Sequence, residues 1–369
     1  MISIWEENTY YKNRDFVIIG AGFSGLWTAL SIKEKYPEKS VLVIEKESVP
    51  KGASTKNAGF ACFGSLTEIL SDAENMGWEK TLDLIQLRYA GLQKILNYVD
   101  ADAIDYVQCG GYELLKETVS QSTLTLVNQK LSSITGCPET FVLNNEKIKT
   151  FGFEQVECLI ENPLEGSLHP AKLIQELTER CRSYGVEFLF GTGLQSVDEN
   201  PDFLKLTLEN KSTIPCQHLI FCTNALGMDF MNEDITPSRG QVLLTSEIDH
   251  LKISGTFHYD EGFYYFRNLG NRILLGGARN KDFLTEKTTD FQVTKTIQNH
   301  LEQFLQEVVL PHQEYSIEKR WSGIMAFGKE KTPIVKKLSD RQYAVVRLSG
   351  MGVALAPMLG EKISELFIQ

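Results

Sequence analysis

Three glycines near the start of the chain have the spacing of a phosphate-binding turn. Gly20, Gly22 and Gly25 form the pattern Gly-x-Gly-x-x-Gly, and Glu45 lies twenty residues after the last of them. Gly20 permits a tight turn, Gly22 lets the backbone approach a pyrophosphate, and Gly25 allows a helix to pack closely on a strand. The Glu45 carboxylate would accept hydrogen bonds from a ribose and repel a 2′-phosphate. The pattern therefore predicts FAD or NAD rather than NADP.

A segment of small and hydroxyl-bearing residues, from Lys51 to Phe63, favours a flavin among these ligands. Small residues let the backbone approach the ribityl chain and the flat ring. The side chains of Ser54, Thr55 and Asn57 offer polar atoms to the phosphates and the ring edge. A nicotinamide-binding domain rarely needs such a segment at this place. The alternative interpretation is a surface loop of small residues.

An aromatic strand with an arginine, residues 263–267, is a candidate for the substrate side. Period-two alternation puts Tyr265 and Arg267 on one face and Tyr264 on the other. A guanidinium matches a carboxylate with two parallel hydrogen bonds, and tyrosines supply an apolar wall. The alternative is that these side chains belong to a hydrophobic core.

The elements that would position these residues follow from apolar spacing. Residues 16–19 and 41–44 are typical of buried parallel strands, and the helix between them ends at Tyr36-Pro37. A further helix is predicted from Pro170 to near Gly185. Residues 239–278 are rich in β-formers and predict a substrate-side antiparallel sheet. A last strand at 344–348 precedes Gly-Met-Gly and a final helix, whose positive end would face the ligand.

Composition narrows the classes of partner. The 369 residues are 42% hydrophobic and 23% charged, which fits a globular protein of two domains. The net charge of -11 disfavours nucleic acid and anionic membranes as main partners. No apolar run approaches the ~20 residues of a membrane helix, and the opening segment does not have the pattern of a secretory signal. Seven cysteines without a CxxC pair predict reduced thiols, a cytoplasmic location and no metal site.

The motifs, taken in order along the chain, resemble the D-amino-acid oxidase superfamily, which includes glycine oxidase, sarcosine oxidase and glutamylputrescine-type oxidases. The matching segments are DFVIIGAGFSG (15–25), VIEKE (43–47), GASTKNAG (52–59), SLHPAKL (167–173), SRGQ (238–241), FYYFR (263–267), RWSGIM (320–325) and SGMGVALAP (349–357). The resemblance implies an α/β fold with a Rossmann-type FAD-binding domain assembled from several segments. It also implies an α+β substrate domain with a mixed, largely antiparallel sheet. On this basis we predict residues 1–80, 155–235 and 318–369 for the FAD-binding domain, and 81–154 and 236–317 for the substrate domain.

The resemblance also implies which residues hold the cofactor and the substrate. The predicted catalytic residues are Tyr264, Arg267 and Met325. The predicted FAD-binding residues are Gly20, Gly22, Phe23, Ser24, Gly25, Glu45, Lys46, Ser54, Thr55, Lys56, Asn57, Ala58, Gly59, Thr223, Asn224, Ala225, Gly227, Gly350, Met351, Gly352, Val353 and Ala354.

The chain departs from the family at three places that bear on chemistry. Met325 stands where amino-acid oxidases have their carboxylate-binding arginine, so either Arg267 or Arg320 substitutes or the substrate has no nearby carboxylate. Residues 321–323 contain no cysteine, which implies non-covalent FAD. Leu274 takes the place of the lysine that activates oxygen in sarcosine oxidases, so a quinone is an alternative electron acceptor to oxygen.

The leading functional hypothesis is an FAD-dependent oxidoreductase acting on a small-molecule amine or amino acid. By resemblance, hydride would pass from the substrate carbon to flavin N5, giving an imine that hydrolyses, with hydrogen peroxide as a further product if oxygen is the acceptor. One alternative is a dehydrogenase of 2-hydroxy acids that uses a quinone or carrier protein. Another is a flavin-binding protein without catalysis. Lys56 and Arg239 are placed either for function or for structural ion pairs.

Overall fold

The computed structural model describes residues 2–367, within which two mixed sheets are flanked by helices. Ten α-helices lie in this part of the chain: α1 (Ile4–Thr9), α2 (Phe23–Lys35), α3 (Leu66–Met76), α4 (Trp78–Tyr98), α5 (Gln121–Thr135), α6 (Glu146–Phe151), α7 (Pro170–Ser183), α8 (Phe283–Glu286), α9 (Lys295–Phe304) and α10 (Gly352–Glu365). The strands are β1 (Arg14–Ile19), β2 (Val41–Glu45), β3 (Phe60–Ala61), β4 (Gly111–Leu115), β5 (Val142–Leu143), β6 (Cys158–Asn162), β7 (Gly166–Ser167), β8 (Glu187–Phe190), β9 (Leu194–Glu199), β10 (Leu204–Leu208), β11 (Thr213–Phe221), β12 (Thr236–Thr245), β13 (Thr256–Tyr259), β14 (Tyr264–Leu269), β15 (Arg272–Gly277), β16 (Ile317–Phe327), β17 (Ile334–Lys337) and β18 (Gln342–Val346).

The first sheet is a Rossmann-type sheet with the order β17-β18-β11-β1-β2-β8. Its central pairs are parallel, and Ile18 lies opposite Val43 on one side and Ile220 on the other. Both faces are buried, because one packs on α2, α4 and α10 and the other on the β9–β10 hairpin. Such double burial explains the uninterrupted apolar strands of the sequence.

The second sheet has the order β16-β12-β15-β14-β13-β4-β6-β5 and is antiparallel except between β13 and β4. One face packs on α9 and buries a cluster that contains Phe257, Phe266 and Leu301. The predicted fold class, a Rossmann-type domain with a mixed, largely antiparallel second sheet, is therefore confirmed.

The packing divides the chain differently from the predicted domain boundaries in three places. Strands β6 and β16 pair within the second sheet, although residues 155–235 and 318–369 were assigned to the first domain. Helix α4 buries Leu84 and Ile95 in the core of the first sheet, although it was assigned mostly to the substrate domain. These elements cross between the layers, since residues far apart in sequence complete each sheet and each core.

Candidate functional site

A cavity of about 1480 Å³ is lined by residues of both sheets. Ile19 and Ile44 line it from the strand ends of the first sheet, and Gly240, Tyr265 and Trp321 line it from one face of the second. Pockets for one small ligand have volumes of roughly 300–1000 Å³. The cavity therefore has room for a large cofactor together with a small substrate.

The glycine motif forms a tight turn between β1 and α2 at one end of this cavity. Gly20 has a φ of +105°, and a Cβ on it would lie 2.9 Å from the carbonyl oxygen of Cys222. A Cβ on Gly25 would lie 1.8 Å from the carbonyl oxygen of Gly20, so only glycine lets the helix approach the strand this closely. Gly22 lines the cavity as the N-cap of α2 and has no side chain to cap the helix, although the next N–H, of Phe23, donates to the Ser54 hydroxyl at 3.0 Å. The turn thus presents a helix N-terminus to the cavity.

Glu45 ends β2 beside this turn and also lines the cavity. One carboxylate oxygen accepts a hydrogen bond from the backbone N–H of Ala21 at 2.9 Å, and the other accepts one from Glu47 at 3.2 Å. Each oxygen keeps a second lone pair for a ligand hydroxyl. The adjoining Lys46 also lines the cavity, and its ammonium pairs with Glu209 at 2.8 Å on the surface.

The segment after β2 contributes four of its six predicted residues to the cavity wall: Ser54, Lys56, Asn57 and Ala58. The other two lie behind the wall. The Thr55 hydroxyl donates to the carbonyl of Pro50 at 2.7 Å, and Gly59 has a φ of +74° where a Cβ would lie 2.2 Å from the Leu168 carbonyl oxygen. Asn57 donates to the carbonyl of Ser54 at 2.9 Å, which holds the turn that exposes this segment.

Residues after β11 and before α10 complete the cavity. Those that line it are Thr223, Asn224, Gly227, Gly350, Met351, Gly352, Val353 and Ala354. Ala225 instead packs behind the wall with Ile324. The buried hydroxyls of Thr223 and Ser349 have no hydrogen-bond partner within residues 2–367, yet both residues line the cavity. Because buried polar atoms are normally paired, these hydroxyls fit a polar ligand in the cavity.

Helix α10 begins at the cavity with its positive end. Met351 is its N-cap and makes no side-chain capping bond, so backbone N–H groups of the first turn remain available. The helix N-terminus favours negative charge on a group bound beside it. Two helix N-termini, of α2 and α10, therefore face one cavity that is lined by glycines and unpartnered hydroxyls. This donor set fits a dinucleotide cofactor with a diphosphate and a polar ring edge.

Two of the three predicted catalytic residues do not reach the cavity. Tyr264 is 4% exposed and packs against Phe304, with 4.8 Å between ring centroids, in the core of the second sheet. Arg267 is on the cavity side of β14, but one of its nitrogens donates to the carbonyls of Gly59 and Leu168, each at 3.0 Å. The structure thus corrects both placements. Strand alternation turns Tyr264 into the core, and Arg267 ties two loops together.

Met325, the third of these residues, lines the cavity, and so does Tyr265, the neighbour of Tyr264. The Tyr265 ring lies over Gly276, where a Cβ would come within 2.5 Å of it. Burial raises the pKa of the Tyr265 phenol to about 12, so it stays protonated. Trp321 lies on the same wall, and its indole N–H donates to the Lys56 carbonyl at 2.9 Å. The wall of the second sheet is therefore aromatic and largely apolar.

A polar corner adjoins this wall at His258. Its Nε2 atom is buried without a hydrogen-bond partner in the described structure and lies 3.8 Å from Glu165. Burial lowers the pKa of His258 to about 4 and raises that of Glu165 to about 8, so both side chains are neutral near pH 7. Burial also raises the pKa of the Cys62 thiol, with a further contribution from Glu165.

The remaining candidates have identifiable partners. Arg239 forms a buried ion pair with Glu286 at 2.8 Å, which favours the structural alternative for this residue. Arg320 lines the cavity, but its guanidinium contacts Glu302 at 3.0 Å. Leu274 packs in an apolar cluster with Val242.

Sequence reasoning missed Arg279, which lines the cavity just beyond β15. Its guanidinium lies 4.1 Å from the ring centroid of Phe327. Burial lowers the pKa of this guanidinium. The sequence feature that could have indicated this residue is Gly276-Gly277-Ala278-Arg279, in which glycines at the end of a strand permit a sharp turn toward the cavity.

The described part of the chain contains neither a membrane-spanning helix nor a cluster of metal ligands. Between residues 2 and 367, no helix is long and apolar enough to cross a membrane. The same residues contain no group of three or more histidine, cysteine, aspartate or glutamate side chains that could hold a metal ion.

Comparison with known proteins agrees with this geometry. The chain is 24% identical over 394 residues to "Probable oxidoreductase OrdL" of Haemophilus influenzae, covering 98% of this chain and 84% of that protein. The fold is similar to L-proline dehydrogenase from P. horikoshii, with a TM-score of 0.78, 17% identity and coverage of 96% and 93% of the two chains. It is also similar to glycine oxidase from Geobacillus kaustophilus, with a TM-score of 0.74, 17% identity and coverage of 97% and 96%. The family model described as "FAD dependent oxidoreductase" matches residues 15–366, so the chain belongs to the DAO family of FAD-dependent oxidoreductases.

Proposed function

We propose that the chain oxidises the C–N bond of a small amine or amino acid to an imine, which water then hydrolyses. The observation that carries this proposal is the aromatic, largely apolar wall of Tyr265, Trp321 and Met325 in a cavity with room for cofactor and substrate. An apolar wall disfavours an ammonium and favours the neutral amine, the form whose C–N bond is oxidised. The structural neighbours named above, a proline dehydrogenase and a glycine oxidase, are consistent with it.

FAD, when bound, would supply the two-electron acceptor for this oxidation. The residues that we propose to contact it are Gly20, Gly22, Phe23, Ser24, Glu45, Lys46, Ser54, Lys56, Asn57, Ala58, Thr223, Asn224, Gly227, Gly350, Met351, Gly352, Val353 and Ala354. Gly25, Thr55, Gly59 and Ala225 would support them from behind. The binding is proposed to be non-covalent, because residues 321–323 offer no cysteine.

The residues of the chain would position the reactants and exclude water rather than exchange protons. The helix N-terminus at Gly352 would stabilise negative charge at its end of the cavity. Tyr265 and Trp321 would hold the substrate against that end and keep water out. His258 and Glu165, both neutral near pH 7, would add no net charge to the corner beside them.

The test is anaerobic mixing of the FAD-loaded protein with panels of amines, amino acids and 2-hydroxy acids. We expect members of the amine or amino-acid panels to bleach the flavin band, and 2-hydroxy acids to leave it unchanged. Bleaching by hydroxy acids alone would show C–OH oxidation instead. A flavin band that no donor bleaches would contradict an enzymatic function.

We further propose that the electron acceptor is a quinone or oxygen and that the protein is cytoplasmic. Leu274 packs in an apolar cluster at the position where, by resemblance, sarcosine oxidases have the lysine that activates oxygen, and this favours the quinone. Comparing the rates at which air and a soluble quinone restore the flavin band of the reduced protein decides between the acceptors.

The proposed cytoplasmic location rests on seven cysteines that are all unpaired, as expected in a reducing compartment. Fractionation of the source cells tests it.

A further inference from the structure

Arg279 is a partly buried cation for which the described part of the chain supplies no acceptor. Within residues 2–367, no hydrogen bond or ion pair of its guanidinium is present, and its close contacts are the aromatic rings of Phe263, Phe283 and Phe327. Burying a charge without a partner costs free energy, and burial correspondingly lowers the pKa of this group. A ligand anion would remove that cost.

The aromatic contacts leave the donor edge of the guanidinium open. Its central carbon lies 4.1 Å from the ring centroid of Phe327 and 5.3 Å from those of Phe263 and Phe283. Stacking on an aromatic face uses the flat surface of a guanidinium, whereas its N–H groups point outward in the plane. Those N–H groups remain available for a planar, two-oxygen acceptor.

Phe327 places Arg279 beside Met325. Residues 325 and 327 share one face of β16, because side chains alternate along a strand. A Cβ on Gly350 would lie 3.6 Å from the Met325 sulfur and 3.9 Å from the Phe327 ring. Arg279 therefore reaches the same part of the cavity as the start of α10, from the turn after β15.

The backbone before Arg279 is held in an unusual conformation. Gly277 has a φ of +119°, and Ala278 has a φ of +58°, which is costly for a residue with a Cβ. The N–H of Ala278 donates to the Phe263 carbonyl at 2.8 Å, and a Cβ on Gly277 would lie 1.9 Å from that same oxygen. The turn after β15 is thus fixed, and with it the starting direction of the Arg279 side chain.

The other cations of the cavity are less suited to bind a ligand carboxylate. Four of the six lysine and arginine side chains that line it form ion pairs with carboxylates of the chain: Lys46, Lys51, Arg320 and Lys331. Lys56 has no such pair in the described structure, but its ammonium lacks the planar fork and it also lines an open outer groove. Arg279 has guanidinium N–H groups without an acceptor in the described structure, and it lies next to Met325.

We propose that Arg279 binds the carboxylate of the substrate, which narrows the substrate class to amino acids and other amines with a carboxylate close to the oxidised carbon. This inference rests on the proposed function, and it assigns the guanidinium to a position that the resemblance did not predict. The carboxylate would accept two hydrogen bonds from the fork and neutralise its charge. Phe327 would keep the fork in its plane.

Binding of acetate and benzoate to the FAD-loaded protein tests this assignment without turnover. The neutral acetamide and benzamide serve as matched ligands, and calorimetry and the flavin absorbance spectrum report binding. We expect the carboxylates to bind at least about tenfold more tightly than the amides. Arg279→Met should abolish this preference and leave the amide affinity and FAD content unchanged, and Arg279→Lys should restore it only in part.

Arg272→Met is the control, since Arg272 begins β15, the strand that precedes Arg279, but pairs with Glu247 and Glu318 at the surface. It should retain the carboxylate preference. Because Arg279 lacks a counter-charge, we also expect Arg279→Met to unfold at the same temperature as the parent or above it. A carboxylate preference that survives Arg279→Met, or that the parent protein lacks, would overturn the assignment.

The donor panel separates this inference from the proposed function. If amines without a carboxylate bleach the flavin as readily as amino acids, in the parent and in Arg279→Met alike, the proposed function stands and the assignment of Arg279 is wrong. If carboxylates bind through Arg279 but no amine or amino acid bleaches the flavin, the assignment stands and the proposed function is wrong.

Discussion

At the scale of single residues, glycines shape the wall of the second sheet as much as side chains do. A Cβ on Gly276 would meet the Tyr265 ring, and one on Gly240 would come within 2.8 Å of the Met325 methyl group. A Cβ on Gly323 would lie 2.8 Å from that of Lys56. The absence of Cβ atoms at these positions lets the neighbouring side chains lie flat along the sheet, and the cavity in front of them stays open.

The buried Glu165 should make the stability of the protein depend on pH. Its pKa is about 8 in the folded protein and near the ordinary 4.5 when unfolded, so between these values the folded state binds more protons. Stability then falls as pH rises through this range. We expect Glu165→Gln to remove this contribution. The melting temperature of the variant minus that of the parent should therefore increase from pH 5 to pH 8.

The exposed Glu117→Gln is the control, and its melting temperature should follow that of the parent at every pH. The pKa of His258, lowered to about 4, acts in the opposite direction between pH 4 and its ordinary 6.5. This contribution is present in both proteins, so their difference reports Glu165. Parallel curves for the parent and Glu165→Gln would show that Glu165 is ionised when folded.

Features that depend on local geometry alone could be predicted from the sequence. The glycine turn at Gly20 could be predicted because few residues tolerate its backbone conformation and close contacts. Alternation also separated Tyr264 from Tyr265, but which of them faces the cavity depends on the strands that pair beside β14. Arg279 was missed because its importance arises from Phe327, which is distant in sequence and reaches it only when β16 joins the sheet.

At the scale of elements, the second sheet is tied to the segment after β15 by a buried ion pair. Arg239 on β12 donates through Nε and Nη2 to both carboxylate oxygens of Glu286 on α8, at 2.9 and 2.8 Å. Gln241 donates to the same carboxylate at 2.9 Å. Because α8 lies between Arg279 and Phe291, which both line the cavity, this pair fixes part of the cavity wall.

Breaking this ion pair from one side should be costly. Arg239→Met leaves the Glu286 carboxylate buried beside too few donors, so we expect a loss of roughly 3–5 kcal/mol in the free energy of unfolding. The double variant Arg239→Met with Glu286→Leu should recover at least about half of that loss, because no unpaired charge remains. Urea denaturation measures both. A double variant as unstable as the single one would contradict this account.

The predicted secondary structure was most accurate where apolar periodicity was strong, as in α2 and α7. Helix α7 was predicted from Pro170 to near Gly185 and spans Pro170–Ser183. The strands β4 and β6 were missed, since they acquire their partners from distant segments. The domain boundaries stay a prediction, and they are hard to derive for a similar reason: the sequence of α4 shows that it has an apolar face but not which core buries it.

At the scale of the whole molecule, α4 and α10 connect the helical layer to the cavity. Gly91 on α4 packs directly on the first turn of α10, where a Cβ would lie 1.8 Å from the Ala354 carbonyl oxygen. The same turn of α10 lines the cavity. The position of the cavity wall therefore depends on the contact between these two helices.

Gly91→Ala should weaken both the fold and the cavity, since the added methyl group must push α4 away from α10. We expect a lower melting temperature and faster loss of FAD on dilution than in the parent. Gln93→Ala, an exposed position on the same helix, is the control and should change neither. A Gly91→Ala protein with the parental melting temperature and FAD retention would show that the two helices can adjust at no cost.

The protonated state of Cys62 has a consequence for durability. Only a thiolate reacts rapidly with peroxides, and burial beside Glu165 keeps this sulfur in its inert form although it lines the cavity. Cys109 and Cys137 are the two thiols that are not fully buried, so they are the ones that external oxidants reach first. If turnover releases peroxide into the cavity, the protonated Cys62 thiol would react with it only slowly. The protein would then not be inactivated by oxidation at this position.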